Sequence, residues 1–148
     1  MLIETRYFGE IEINEDTIIH FPKGIPGFVD EKQFVLLDVE DNPVFQVLQS
    51  TNNVDPAFIV TNPFRTVRDY QFDLDENTLE LLEIEAEEEV GVLSIVSLKD
   101  PLNDSTINLQ APIVLNTKKL LGKQYITNLK SFSTKASLFP HSIEEKVK

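Results

Sequence analysis

The sequence predicts a mainly β protein: a compact, antiparallel, barrel-like single domain with one or two short helices. Three observations lead there. Short runs alternate apolar and polar residues at a period of two, Gly, Pro and Asn punctuate them at brief intervals, and only one stretch carries helical spacing. A chain of 148 residues suits one domain of this kind and leaves no room for a second of ordinary size.

In order, Ile3, Thr5 and Tyr7 alternate with Leu2, Glu4 and Arg6. Gly9 then allows a turn into Glu10-Ile11-Glu12-Ile13, a strand with one wet face. Asn14-Glu15-Asp16 reads as a turn before a strand over Thr17 to Phe21. Two glycines and two prolines around Gly24-Ile25-Pro26-Gly27 spell a rigid turn rather than a nucleic-acid clamp. Further strands are expected at Phe34 to Val39, Val44 to Gln49, Ala57 to Asn62, Val90 to Leu98, Thr106 to Leu109, Ile113 to Asn116 and Gln124 to Thr127. The helix is expected over Asp75 to Glu83, with Asp75 as its cap, Leu74 and Leu79 as a hydrophobic staple, and Leu79 and Leu82 on the buried stripe. The domain is expected to span 1–140, with a polar tail at 141–148. Phe8, Phe21, Phe28, Ile59, Ile95 and Leu109 are expected in the core, and His20 as a buried or half-buried structural residue.

Composition excludes several function classes. There is no cysteine, hence no disulfide framework, thiolate metal site or thiol nucleophile. No nucleophile elbow, Walker loop or dinucleotide fingerprint occurs. Asp73-Leu74-Asp75-Glu76-Asn77 imitates a calcium loop, but Thr78 and Ile84 stand where its glycine and bidentate glutamate belong. The start, MLIETRYFGE, lacks a basic-then-apolar secretory pattern, and the uncharged run Ser105 to Thr117 is too short and polar to span a bilayer, so a cytoplasmic soluble domain is expected. No enzymatic activity and no cofactor are expected.

The charge is −12 and uneven. Asp69 to Glu89 holds ten acids and no Lys or Arg, whereas Thr117 to Lys148 sums to +5. An acidic body argues against gripping nucleic acid directly, since phosphate affinity comes from Lys and Arg, and favours a basic partner. The lysines from Lys118 to Lys135 are a poor nucleic-acid site because the acids oppose them. Glu83, Glu85, Glu87 and Glu89 alternate, so an extended backbone would show all four from one face. Another reading stays open, an acidic metal- or ligand-binding β-module with Asp73, Asp75 and Glu76 as oxygen donors. Gln and Asn interleave with apolar residues in VFQVLQS (Val44 to Ser50), AFIVTNP (Ala57 to Pro63) and TINLQAPIVLN (Thr106 to Asn116), either as polar outer strand positions or as a surface for docking a protein.

At these segments, and at ETRYFGE, FPKGIPGF (Phe21 to Phe28) and Gly122-Lys123-Gln124, the chain resembles the flagellar assembly factor FliW family in order and spacing. The resemblance implies a small barrel-like cytoplasmic protein without catalytic activity. It implies two partners: the translational repressor CsrA, prevented from silencing flagellin mRNA, and flagellin itself, which captures the factor and releases the repressor until flagellin is exported. Partner contacts are expected at Phe45, Gln46, Leu48, Gln49, Asn53, Asp55, Phe58, Asn108 and Gln110. Asp73, Asp75, Glu83, Glu85 and Glu87 are expected to exclude RNA by their field. With a screening length of about 8 Å, that field acts only close to the RNA path.

Overall fold

A computed structural model describes residues 1–139, so the tail expected at 141–148 lies outside the described residues. Among the described residues the strands are β1 (Leu2–Thr5), β2 (Gly9–Glu12), β3 (Ile19–His20), β4 (Gln33–Val39), β5 (Asn42–Ser50), β6 (Ala57–Thr61), β7 (Val90–Ser97), β8 (Thr106–Ile107), β9 (Ile113–Asn116), β10 (Leu121–Gln124) and β11 (Ala136–Ser137), with one α-helix, α1 (Glu76–Leu81). Neighbours run β3–β4–β5–β6–β7 and then β9–β10, and β10 returns to β3, closing a barrel. All of its pairings are antiparallel except β3 with β10. Two further strands, β8 and β11, extend from the far half of β7, and β1–β2 is a separate hairpin. Among the described residues no helix is long and apolar enough to cross a membrane.

Strand alternation sorts side chains into an interior and an exterior. Ile19, Phe21, Ile25, Phe34, Leu48, Val60, Ile113 and Leu115 fill the barrel, with the rings of Phe21 and Phe34 edge-on at 5.1 Å. Each fully buried ring of this kind is worth about 1.5–3 kcal/mol over an exposed one. Gly122 faces this core: a Cβ there would lie 2.6 Å from the Phe21 ring and 2.9 Å from Leu115. Outward residues form three satellite cores, each under its own cover. The β1–β2 hairpin lays Ile3 on Val35; the segment ending at Leu138 packs with Tyr70 on Val96 and Ile107; the α1 region lays Leu82 on Val114 and Tyr125.

Several expectations need correction. Phe8 and Phe28 are 38% and 41% exposed, because both sit in turns outside the barrel; Phe21 and Leu109 are buried, and Ile59 and Ile95 are half-buried against the cores. His20 is exposed, since parity sends its neighbours Ile19 and Phe21 inward. The strand expected over Thr17 to Phe21 is confined to Ile19–His20, and Thr17 belongs to a single 3-10 turn over Glu15–Thr17, capped by Asn14. The strand expected at Gln124 to Thr127 lies earlier, at Leu121–Gln124, although Tyr125 and Thr127 still donate backbone bonds to Pro112 and Gln110. The turn readings hold: Gly9, Gly24 and Gly27 have positive φ, and at Gly24 the Val29 backbone lies 2.6 Å from where a Cβ would be.

Candidate partner-binding surface

The acidic segment is built from the helix outward. Asp75 caps α1, its Oδ1 accepting from the Thr78 amide at 2.8 Å, and the Tyr125 hydroxyl accepts from the Asp75 amide while donating to the Asp73 carbonyl. Hydrogen bonds from the Thr78 side chain and amide, helped by Lys123, hold the Asp75 carboxyl below the usual range. Thr78 and Leu82, one turn apart, form the fully buried stripe, whereas Leu79 is only partly covered. The helix ends at Leu81 with Leu82 as its cap, the chain turns away at Glu83, whose φ is 53°, and Asn116 secures that turn. Fully buried at the end of β9, Asn116 donates Nδ2 to the carbonyls of Leu82 (2.8 Å) and Glu83 (3.1 Å), and its Oδ1 accepts from the Lys118 and Lys119 amides.

The run beyond is not an extended strand. Glu87–Glu89 is a 3-10 turn, and Glu89 folds inward, 8% exposed, its Oε1 accepting from the amides of Glu85 (2.8 Å) and Ala86 (3.2 Å). Those two amides, chiefly that of Glu85, together with Lys118 and Lys119, hold its carboxyl below the usual range. Glu89 therefore builds the bend and does not join a carboxylate row. Asp73, Asp75, Glu83, Glu85 and Glu87 do reach solvent; Glu83 meets Lys119 at 3.3 Å. Among the described residues no group of three or more His, Cys, Asp or Glu is placed to hold a metal ion.

The expected contact residues scatter. Leu48 lies inside the barrel, fully buried, and Gln49, also fully buried, brackets the loop after β5: its Oε1 accepts from the Arg6 amide and its Nε2 donates to the carbonyls of Ser50, Asn53 and Val54. Neither offers a surface. Asn53 and Asp55 are exposed at one end of the barrel, where Asn53 donates to Glu31 and Asp55 pairs with Arg6 at 3.3 Å. Phe58 is half-buried near them, its ring 5.8 Å from exposed Phe28. Phe45 packs on the satellite core beneath Tyr70, and Gln46 donates to Asp38. Asn108 is a turn device, Oδ1 accepting from the Gln110 and Ala111 amides, and Gln110 is half-buried beside it. Sequence reasoning missed Asn116 and Glu89. Asn116 had a signal, an Asn closing an apolar run before Thr117-Lys118-Lys119; Glu89 had none distinguishing it from its acidic neighbours.

Comparison with known proteins covers nearly the whole chain. The model of the FliW protein family matches residues 2–138. The flagellar assembly factor FliW of Oceanobacillus iheyensis is 47% identical over 145 residues, 98% of this chain and 99% of that one. That of Bacillus licheniformis is 50% identical over 135 residues, 91% and 94% of the two chains, and that of Bacillus subtilis is 44% identical over the same shares. A crystal structure of the flagellar assembly factor FliW superposes with a TM-score of 0.90 at 48% identity, covering 95% of this chain and 98% of the other. Fold and sequence thus agree over nearly the whole chain, and the chain belongs to the FliW family.

Proposed function

We propose that this chain serves flagellar assembly as a stoichiometric binding protein, not a catalyst, working in the cytoplasm. It takes up the translational repressor CsrA, so that flagellin mRNA is translated, and it is in turn captured by flagellin, so that unexported flagellin shuts off its own synthesis. The observation that carries this reading is family membership along nearly the whole chain. Charge supports it: an RNA-binding repressor needs a basic surface, and a partner of charge −12 attracts that surface while repelling the transcript. Asp73, Asp75, Glu83, Glu85 and Glu87 supply the negative field at the surface. Asn53, Asp55 and Phe58, with the outer atoms of Phe45, Gln46, Asn108 and Gln110, remain the docking residues of this reading; Leu48 and Gln49 drop out because they are buried.

Calorimetric titration into purified CsrA tests it, repeated with flagellin present and at two salt concentrations. One-to-one uptake that weakens with salt and disappears with flagellin is expected. Absence of heat with CsrA at low salt, or indifference to flagellin, overturns it.

A further inference from the structure

An apolar groove of about 580 Å³ opens beside the acidic segment. Its lining includes Phe64, Phe72, Leu79, Ile84, Val90 and Val92, and it also includes Asp73, Glu85 and Glu87, with no Lys or Arg. A second hollow, about 470 Å³, shares Phe64, Val90 and Val92 with it and reaches the barrel residues Leu36, Leu93 and Leu115. Phe64 stands between the two, 41% exposed, and local contacts fix its place. It sits in a 3-10 turn whose Pro63 is buried, Asn62 Oδ1 accepts from its amide at 2.9 Å, and its ring lies 5.7 Å from that of Tyr70. An exposed aromatic held this firmly loses little freedom on being covered, which favours its use as an anchor.

From this we infer a docking surface for a basic amphipathic segment of a partner protein, its apolar side chains on the floor around Phe64 and Val92 and its Lys or Arg residues on Asp73, Glu85 and Glu87. The inference rests on the reading of the chain as a partner-binding protein and places docking and charge together, where the sequence suggested separate regions. Charge complementarity chooses the occupant. An acidic or neutral segment would desolvate three carboxylates with nothing to compensate, and apolar side chains flanked by cations satisfy both floor and rim. A second copy of this chain brings its own acids to the same rim and is disfavoured.

The test uses synthetic helix-forming peptides with leucine at three- and four-residue spacing, one with lysine and one with glutamate at the polar positions. Titration of the isotope-labelled chain, followed by amide NMR, should shift Phe64, Leu79, Val90 and Val92 with the lysine peptide and not with the glutamate peptide. Phe64→Ala should weaken the lysine peptide roughly tenfold in a variant that still folds, its amide spectrum outside the groove matching the parent's, as loss of an anchor does. The double variant Glu85→Lys, Glu87→Lys should invert the peptide preference. Equal affinity for both peptides, shifts centred on Tyr7, Phe8 and Phe28 instead, or self-association of the free chain through Phe64 overturns the inference. Failure here leaves the CsrA titration above unaffected, and failure there leaves the groove result standing, so the two readings fall separately.

Discussion

At the residue scale, single polar groups decide local structure. Tyr70 is buried, its hydroxyl donating to the Leu109 carbonyl across the outer core, and burial pushes its pKa up to about 12. Tyr70→Phe leaves that carbonyl without its partner, so denaturant unfolding should show a loss of about 1–3 kcal/mol. Stability should also fall more steeply between pH 10 and about 12 in the parent than in the variant, because over that window the unfolded tyrosine sheds a proton that the folded one keeps. Glu89 works in the opposite sense. Its folded pKa lies below the ordinary value of 4.5, so the unfolded state binds the extra proton as the pH drops and stability is lost through that acid range. Melting scans on Glu89→Gln should therefore show a shallower decline below about pH 5 than the parent. Nothing in the sequence separated Glu89 from Glu87 and Glu88; only the bend that turns its carboxylate onto two amides does so.

At the element scale, α1 has six residues, too few to hold itself, and the barrel beneath supplies its stability. Asn116→Ala removes two donors from the helix end and the acceptor of the following turn. Hydrogen exchange should quicken at Leu82 to Ala86, and global stability should fall by roughly 2 kcal/mol or more. Gly122→Ala drives a methyl into Phe21 and Leu115, and overpacking of this type costs about 1–3 kcal/mol in the same measurement. Much of this level was readable from sequence. Asp75 as a cap, the Gly24 to Gly27 turn and most strands follow from local chemistry. Parity was harder. Leu48 and Gln49 are neighbours that point to opposite sides of one strand, and both are buried, one by the barrel and one by the hairpin reaching Arg6 across 43 positions. Local alternation carries no trace of a cover that arrives from so far along the chain.

At the scale of the whole molecule, a charge of −12 strains the folded state by self-repulsion. Raising salt from low to physiological strength should increase the melting temperature, while lowering affinity for a basic partner; a melting temperature that falls with salt would show that attractive pairs such as Lys119 with Glu83 outweigh the repulsion. The mainly β class with a short helix was legible from sequence. Closure was not, because it depends on β3 meeting β10 through one parallel pair of residues and on β7 meeting β9, contacts between short strands that carry no shared motif. Closure has one more effect. Among the described residues the strands with a single neighbour are β1, β2 and β11, none longer than four residues, and β1 and β2 expose Glu4, Glu10 and Glu12. The described residues thus leave little unpaired backbone for copies to stack on into fibrils. Short, acid-bearing edges of this kind disfavour pairing between copies through exposed backbone.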